Sequence, residues 1–473
     1  MKRDSKPPNE GTTAGSTVGL ISLGCPKNRV DSEIMLGQLE RRGHRVVSDV
    51  EDAETVIVNT CGFIDEAKEE SIDAILEIAD RKTETGAKLL VAGCMVNRHG
   101  EELASEIPEI DGFISLDQLT EADSLVSLGH RGSAPPVPSQ AASHMVFDHT
   151  APRRLTTRGY GYLKVAEGCN NPCTFCAIPT WRGRFRSRTI DSLVAEARSL
   201  EETGIHELCL VAQDTTRYGE DLGLGRHGLA RLVEALLART EIPWIRFLYA
   251  YPTTLDDELL RLMGAEERFV SYVDMPLQHS HRQVLKAMKR GGTAEKYLEL
   301  LDRTRALAPD VFLRSTFIVG FPGETAEHFD HLLGFVERAR LDHLGGFVYS
   351  PQDGTPSAEL PGRIPAQTAR RRHEALLETQ RPIALERRRR LVGRRLPALI
   401  EGVCDETEHL LQGRHYGMAP DIDGRLLIND GVVALDTLAL PALAEVEITE
   451  AHADDLVGAL VSVPEPAMAA AGR

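Results

Sequence analysis

The stretch EGCNNPCTFCAIP, residues 167–179, decides the fold, because it places Cys169, Cys173 and Cys176 in one short loop, the cysteine loop (residues 168–177). Thiolates are soft ligands that suit iron–sulfur clusters and zinc. Structural zinc sites usually combine a close pair of cysteines with a distant pair, whereas no fourth thiol is adjacent here. A four-iron cluster bound by three cysteines leaves one iron open to a small molecule. The spacing therefore favours an iron–sulfur cluster over a zinc or redox thiol site.

Apolar runs that predict β-strands recur from residue 160 onward and alternate with long helical stretches. Six such runs occur: YGYLKVAEGC, HELCLVAQD, WIRFLYAYP, FVSYVDMPLQH, VFLRSTFIVGF and LGGFVYSP. The alternation predicts a partial parallel (β/α)6 barrel over residues 158–390, with its chemistry at the carboxyl ends of the strands. The cysteine loop follows the first strand, so we expect it to open onto the active-site face.

Three further cysteines, Cys25, Cys61 and Cys94, each end an apolar run, in VGLISLGC, ETVIVNTC and KLLVAGC. The polar stretches after these runs have helical spacing, so residues 16–130 are predicted to form a parallel α/β sheet domain. The carboxyl ends of parallel strands share one edge, where ligands bind, and the three cysteines can therefore converge in a second three-thiol site. The alternative is three unrelated buried thiols, because free cysteine is among the most buried residue types.

The remaining segments predict a linker, a small β-barrel and two tails. Residues 131–157 are rich in Pro, Ala and Ser, which is typical of a linker. Over residues 391–464, short apolar runs punctuated by Gly, Asp and Pro predict a small all-β barrel. Residues 1–15 and 465–473 are predicted to be tails, the first of them disordered. An arginine-rich helical stretch before the β-barrel is either the solvated face of a linking helix or a contact to RNA or acidic protein.

Composition limits the classes of protein to which the chain can belong. Of its 473 residues, 42% are hydrophobic and 26% are charged, which is typical of globular enzymes. No apolar run approaches the ~18–20 residues needed to span a bilayer, and the N-terminus has no apolar signal segment, so no membrane partner is expected. The expected location is the cytoplasm. That compartment keeps thiols reduced, so the eight cysteines favour metal or redox chemistry over a disulfide framework.

The C-x3-C-x2-C spacing, with the aromatic Phe175 just before the third cysteine, resembles the radical S-adenosylmethionine (SAM) superfamily. The resemblance implies that the amino and carboxylate groups of SAM chelate the open iron. It also implies that one electron cleaves SAM to methionine and a 5′-deoxyadenosyl radical, which is chemistry that a cofactor must supply. Cys169, Cys173 and Cys176 would then be metal ligands at the catalytic centre, and Phe175 would belong to the cofactor site.

Polar residues at the ends of the predicted barrel strands are candidates for binding SAM. Gln213 and Asp214 follow the second strand, where they could hold the ammonium group of SAM. Arg314, on the fifth strand, could bind the carboxylate through two parallel hydrogen bonds. Each of the three is equally well explained as a structural polar residue.

The order of domains resembles that of the methylthiotransferases, which have an N-terminal three-cysteine domain, a radical SAM barrel and a small C-terminal β-barrel of the TRAM type. The resemblance implies two [4Fe-4S] clusters and SAM as cofactors, with the sulfur for transfer at the cluster of Cys25, Cys61 and Cys94. A low-potential electron donor is a further expected partner. An electron carrier or scaffold is disfavoured, because such proteins complete their clusters with four protein ligands.

Two branches of the methylthiotransferases differ in substrate. The segments SLGCPKNRVDSE and NTCGFIDEAKEES resemble the branch that modifies the β-carbon of an aspartate in the twelfth protein of the small ribosomal subunit. The alternative branch modifies an adenosine in transfer RNA. Residues 396–460 contain thirteen acids and two arginines, whereas a module that gripped phosphates would have the reverse balance. A basic ribosomal protein is therefore the favoured partner and transfer RNA is disfavoured.

The stretch WRGRFRSR, residues 181–188, is the contrary observation. Its four arginines could contact phosphate. They could equally pair with acidic surroundings or guide an aspartate substrate, and the sequence leaves these interpretations open. The four are Arg182, Arg184, Arg186 and Arg188.

Overall fold

The structure, a computed structural model, describes residues 15–127, 147–431 and 439–462. The chain forms two compact units, Met1–Arg154 and Leu155–Arg473. Apart from Gly15, the predicted tails lie outside the described residues, as do residues 131–146 of the predicted linker. Of the helices in the described part of the chain, none combines the length and the hydropathy that a membrane span requires.

The first unit is an all-parallel sheet with helices on its faces. Its strands are β1 (Thr17–Ser22), β2 (Arg45–Val46), β3 (Thr55–Thr60), β4 (Lys88–Gly93) and β5 (Gly112–Ile114). Its helices are α1 (Pro26–Arg41), α2 (Asp65–Thr85), α3 (Cys94–Glu106) and α4 (Ala122–Ser127). The strand order is β2-β1-β3-β4-β5, and the apolar strand β3 is buried along its whole length. The predicted N-terminal sheet domain is confirmed, with two short strands, β2 and β5, added at its edges.

The second unit begins with a partial barrel. Its strands are β6 (Tyr160–Lys164), β7 (Ala166–Glu167), β8 (Arg186–Ser187), β9 (Glu207–Val211), β10 (Trp244–Phe247), β11 (Tyr272–Asp274), β12 (Phe312–Val319) and β13 (His343–Val348). Its helices are α5 (Ile178–Arg182), α6 (Ile190–Glu202), α7 (Gly228–Arg239), α8 (Asp257–Ala265), α9 (Arg282–Ala287), α10 (Ala294–Leu307), α11 (Ala326–Ala339) and α12 (Ala366–Arg389). Parallel sheets β10-β9-β6 and β11-β12-β13 are joined by a bridge between Ile245 and Phe269. The predicted partial (β/α)6 barrel is therefore confirmed.

The second unit ends in a closed β-barrel of five strands, which confirms the predicted small all-β barrel. The strands are β14 (Arg395–Cys404), β15 (Thr407–His415), β16 (Leu426–Gly431), β17 (Ala442–Ala451) and β18 (Leu456–Ser462), in the order β14-β15-β16-β18-β17. Alternate residues of these strands point inward and form a separate apolar core. The arginine-rich stretch before the β-barrel forms α12, which packs against β13 and α11.

The segment between β15 and β16 packs against the amino-terminal end of the partial barrel. The carboxylate of Asp421 accepts hydrogen bonds from the hydroxyl groups of Tyr160 (3.0 Å) and Tyr162 (3.1 Å). Asp423 accepts one from the hydroxyl group of Tyr272 at 2.7 Å. The β-barrel is thus fixed at the end of the strands opposite to the cysteine loop.

Some of the thirteen acids counted in residues 396–460 serve this internal contact. Asp421 and Asp423 bind the partial barrel, and Glu401 pairs with Arg414 at 2.8 Å. The exposed acids include Asp405, Glu406 and Glu408 at and just after the β14–β15 turn, and also Asp421, Asp430, Glu450 and Asp454. Internal contacts therefore remove only part of the negative charge in the sequence count, chiefly that of the buried side chain of Asp423.

A buried ion-pair network also joins the two parts of the second unit. The carboxylate of Glu207 is fully buried and pairs with Arg246 at 2.6 Å and with Arg414 of the β-barrel at 2.8 Å. Burial alone would raise the pKa of Glu207, but the two guanidinium groups lower it below its usual value. The carboxylate is therefore charged, and its share of the stability is present above about pH 4.3, the ordinary glutamate value, and is lost as the pH falls below it.

We expect Glu207→Gln to lower the free energy of unfolding of the second unit by about 3–5 kcal/mol, because two guanidinium groups would stay buried without their counter-charge. Both tryptophans, Trp181 and Trp244, are buried in this unit, so their fluorescence during urea unfolding reports on it. The matched control is Glu406→Gln, which removes an exposed partner of Arg425 and should change the free energy by less than about 1 kcal/mol. Equal effects of the two substitutions would contradict the role given to Glu207.

Candidate functional site

The cysteine loop emerges at the carboxyl end of the first barrel strand, and the antiparallel pair β7–β8 brackets it. Gly168, its first residue, has a φ of 79°, and a Cβ at this position would lie 2.2 Å from the carbonyl oxygen of Arg184. Only glycine fits such a turn. The amide of Cys169 donates to the carbonyl oxygen of Gly183 at 3.1 Å. The first metal-ligand candidate is thus held against the chain that leaves the loop.

A buried carboxylate, Glu167, lies immediately before the loop. It accepts hydrogen bonds from Lys164 Nζ (2.7 Å), Arg182 Nη1 (3.0 Å) and Gln213 Nε2 (2.9 Å). Burial opposes its ionisation, but Arg182 and Lys164 outweigh burial and hold the pKa of Glu167 below its usual range. Sequence reasoning missed this residue, because a single glutamate before a glycine has no diagnostic spacing. Its charge fixes the start of the loop to the strand ends.

The middle of the loop is bound on two sides. Asn171 Nδ2 donates to Asp214 Oδ2 at 2.7 Å, and the amide of Asn171 lies 3.4 Å from the sulfur of Cys169. On the other side, Thr174 Oγ1 donates to the carbonyl oxygen of Ala287, the last residue of α9, at 2.8 Å. These bonds hold the chain on both sides of the second cysteine, Cys173.

The three thiols of the loop fit an iron–sulfur cluster. All are partly exposed, so a ligand can reach them. Burial, together with the neighbouring Cys173 and Cys169, raises the pKa of Cys176 to about 12. The Cys176 thiol therefore stays protonated at neutral pH unless a cation compensates its charge, which is what bound iron would provide. The donor set is three soft sulfur atoms from one loop.

Two of the predicted cofactor residues, Gln213 and Phe175, remain candidates for binding SAM. The amide nitrogen of Gln213 donates to Glu167, while its Oε1 is buried and has no hydrogen-bond partner in the described part of the chain. An unpartnered acceptor of this kind fits an ammonium group such as that of SAM. Phe175 packs against an apolar cluster that contains Met288 and Phe321. Both assignments remain predictions.

Asp214 is already occupied by protein partners. Besides Asn171, its carboxylate accepts a hydrogen bond from Thr216 Oγ1 at 2.7 Å and pairs with Arg217 at 3.3 Å. Burial raises the pKa of Asp214. The structure therefore gives it a positioning role, because it holds the cysteine loop through Asn171.

Arg314 requires a correction. Its guanidinium group pairs with Asp274 at 3.0 Å and with Asp423 of the β-barrel at 3.4 Å, near the amino-terminal end of the strands. Burial lowers the pKa of Arg314, but these carboxylates outweigh burial and raise it above its usual value. Two protein carboxylates fill the positions that a cofactor carboxylate would need, so we leave Arg314 out of the proposed SAM site.

The N-terminal cysteines follow three neighbouring strands, β1, β3 and β4, at one edge of the first unit's sheet. Cys25 caps the amino end of α1, and Cys94 is the first residue of α3. Helix amino ends carry partial positive charge, which favours the thiolate form that metals bind. Each of these two cysteines thus lies where its sulfur is suited to a metal.

Two glycines let the loops of this edge approach one another. A Cβ at Gly24 would lie 2.7 Å from the Cβ of Cys61, and a Cβ at Gly62 would lie 3.4 Å from the carbonyl carbon of Cys94. The structure therefore brings the loops of Cys25, Cys61 and Cys94 together, as expected from parallel strands. That the three bind a metal remains a prediction.

The arginine stretch 181–188 divides into two pairs. Arg182 is buried in its pair with the carboxylate before the cysteine loop, and Arg188 is buried against Glu196 at 2.6 Å. Arg186 is partly exposed and Arg184 is exposed. Pairing with acids thus explains Arg182 and Arg188, and a phosphate contact would depend on Arg184 and Arg186 alone.

Three family models match successive parts of the chain. The uncharacterized protein family UPF0004 matches residues 17–115, the radical SAM superfamily matches residues 163–336, and the TRAM domain matches residues 392–461. They coincide with the parallel sheet, the partial barrel and the closed β-barrel.

Relatives match almost the whole chain. A ribosomal protein uS12 methylthiotransferase RimO of Solibacter usitatus is 46% identical over 454 residues, which cover 95% of this chain and 96% of the relative. The chain belongs to the RimO family of methylthiotransferases. The RimO protein of Myxococcus xanthus is 44% identical and covers 96% of this chain and 94% of its own length. The resemblance to methylthiotransferases, seen in the order of domains, is thereby confirmed.

Solved structures support the radical SAM fold of this RimO family member. The radical SAM methyltransferase TsrM of Kitasatospora setae, with cobalamin and a [4Fe-4S] cluster bound, has a TM-score of 0.54 and 17% identity. The match covers 71% of this chain and 77% of TsrM. At this identity the likeness shows the fold alone. Family and fold together give the chain SAM and an iron–sulfur cluster as cofactors.

Proposed function

We propose that this chain inserts a methylthio group at the β-carbon of an aspartate in the ribosomal protein uS12. The observation that carries the proposal is identity of 44–46% to uS12 methylthiotransferases over 95–96% of the chain. The two sets of cysteines at strand ends offer the ligands for the two clusters that such a reaction needs. We further propose that it acts in the cytoplasm, where its thiols stay reduced, with a low-potential electron donor.

In the proposed active site, Cys169, Cys173 and Cys176 hold a [4Fe-4S] cluster. When bound, this cluster supplies the open iron and the electron for reductive cleavage of SAM. Glu167 and Asp214 fix the loop, and Oε1 of Gln213 accepts a hydrogen bond from the ammonium group of SAM. The buried, unpartnered state of that oxygen supports this assignment.

Cys25, Cys61 and Cys94 are proposed to hold a second [4Fe-4S] cluster, which supplies sulfur for transfer. Support comes from their convergence at one sheet edge and from the helix amino ends at Cys25 and Cys94. Three protein ligands again leave one iron free, where a sulfur atom can bind.

A protein substrate is favoured over transfer RNA, the alternative reading. The exposed acids Asp405, Glu406 and Glu408 suit a basic protein such as uS12. Against RNA, two of the four arginines near the cysteine loop are committed to buried ion pairs. Of the four, only Arg184 and Arg186 are at least partly exposed.

Gln213→Ala is expected to raise the Kd for SAM by roughly 10- to 100-fold, because a hydrogen bond to a charged group contributes about 1.5–3 kcal/mol. Binding is measured anaerobically on reconstituted protein with matched iron content. The control is Gln380→Ala, since Gln380 also donates from Nε2 and has a buried, unpartnered Oε1 but lies on α12. An unchanged Kd for Gln213→Ala, or an equal rise for both variants, would remove Gln213 from the site.

Substrate choice is tested with the full chain, reconstituted anaerobically with iron and sulfide and supplied with SAM and a strong reductant. Purified uS12 and transfer RNA are offered in parallel and analysed by mass spectrometry. We expect one methylthio group in place of one hydrogen on an aspartate of uS12. Modification of adenosine with uS12 unchanged would overturn the proposal in favour of the transfer-RNA branch.

A further inference from the structure

Arg290 is a buried cation beside the cysteine loop, with 9% of its surface exposed. Its Nη1 lies 3.7 Å from Cys173 Sγ, its Nη2 donates to the carbonyl oxygen of Pro276, and its guanidinium group stacks on the ring of Tyr251, 4.1 Å from the centroid. Its Nε is buried with no hydrogen-bond partner among the described residues. All of these protein contacts are with neutral groups or a thiol.

Buried arginines are normally paired with an anion, because an unpaired buried charge costs several kcal/mol. No carboxylate in the described ranges forms an ion pair with Arg290. Asp214 lies within its electrostatic reach, but Asn171, Thr216 and Arg217 already engage that carboxylate. The sulfur of Cys173 is therefore the contact through which Arg290 can meet negative charge.

The same segment that carries Arg290 also holds the loop. The amide of Thr174 donates to the carbonyl oxygen of Met288 at 3.1 Å, and the amide of Arg290 donates to the carbonyl oxygen of Leu285 at 2.8 Å. These bonds fix the backbone of Arg290 relative to the loop, and the contacts with Pro276 and Tyr251 hold its guanidinium group.

We propose that Arg290 is the buried counter-charge of the iron–sulfur cluster bound by Cys169, Cys173 and Cys176. This inference rests on the proposed assignment of these cysteines to a cluster. Reduction by an external one-electron donor adds one negative charge to the cluster. A cation in contact with a ligand sulfur stabilises the reduced form more than the oxidised form, so it raises the reduction potential. Arg290 does not touch the reacting atoms. It acts through the cluster, by setting how readily the cluster accepts the electron.

The test compares Arg290→Gln and Arg290→Lys with Lys289→Gln, which removes the same charge from the adjacent, exposed position. Each variant of the full chain also carries Cys61→Ala, so that only the loop cluster is followed, and is titrated with reductant while its paramagnetic signal is recorded. Arg290→Gln should shift the midpoint potential to a more negative value. Arg290→Lys and Lys289→Gln should stay close to the parent.

Every outcome bears on the inference. A normally loaded Arg290→Gln variant with the parent's midpoint potential would overturn it, and so would weaker SAM binding without a shift in potential, since the cation would then serve SAM. If Arg290→Gln fails to bind iron while Arg290→Lys loads normally, charge is required and the inference stands. If both fail to load, the side chain's shape matters instead and the inference fails. A Cys173→Ala variant that keeps its loop cluster would instead refute the cluster assignment itself.

Discussion

Cys173→Ala is expected to reduce formation of 5′-deoxyadenosine from SAM to the background rate. Cys173 is the middle thiol of the cysteine loop, and its sulfur contacts Arg290. The flanking residues Asn171 and Thr174 are held by hydrogen bonds to Asp214 and to the carbonyl oxygen of Ala287. Two remaining thiolates would leave the proposed cluster without its third protein ligand, so the electron that cleaves SAM would have no route to it. Quantification of 5′-deoxyadenosine and methionine after anaerobic incubation with reductant gives the result.

The control for this loss is Cys404→Ala. Cys404 is a buried thiol at the end of β14 and belongs to neither cysteine set. Its loss should cost packing free energy of about 1 kcal/mol and leave SAM cleavage in place. SAM cleavage by Cys173→Ala at the rate of Cys404→Ala would contradict the assignment of the loop.

Cys61→Ala is expected to stop the transfer of sulfur to uS12 and to leave the cleavage of SAM in place. Its sulfur follows the central strand β3, beside Gly24 of the neighbouring loop, in the first unit. The cluster proposed for the cysteine loop does not use this thiol, so SAM cleavage should continue. Transfer of sulfur to uS12 should fall to the detection limit, because the proposed second cluster loses one of three ligands.

The measurement for Cys61→Ala follows 5′-deoxyadenosine and methylthio-modified uS12 in the same reaction. Cleavage with no modified uS12 agrees with the account. Modified uS12 at the parent's level would show that Cys61 carries no sulfur chemistry. Loss of both products, in protein whose loop cluster is fully loaded, would contradict the separate roles of the two cysteine sets, SAM cleavage for one and sulfur transfer for the other.

Much of this architecture could be predicted because the signals are local. Each cysteine of the N-terminal set directly ends an apolar run, and parallel strands bring such ends to one edge without further information. The cysteine loop likewise follows the first barrel strand immediately. Strands β2 and β5 were not predicted, since runs of two and three residues have no periodicity to detect.

The errors concern contacts between residues far apart in sequence. Arg314 has the side chain that a cofactor carboxylate needs, but Asp274 and Asp423, 40 and 109 positions away, bind it instead. Asp423 counted toward an outward negative charge, yet its side chain is buried and accepts a hydrogen bond from Tyr272, 151 positions away. Local patterns carry no information about such partners.

Arg290 was missed for a related reason. In sequence it follows Lys289 and precedes two glycines, which is the pattern of an exposed turn. Only the packing of α9 under the cysteine loop places its guanidinium group against the sulfur of Cys173. A functional role for it follows from burial without an ion pair, and burial is a property of the fold.

The account depends most on the claim that two cysteine sets hold two separate clusters. Iron and sulfide analysis with Mössbauer spectroscopy, on the reconstituted parent chain, Cys61→Ala and Cys173→Ala, tests it most directly. We predict that the parent contains twice the iron of either variant and that each variant keeps one [4Fe-4S] spectrum. Equal iron content in the parent and in Cys61→Ala would contradict the claim and leave the N-terminal cysteines without a cluster.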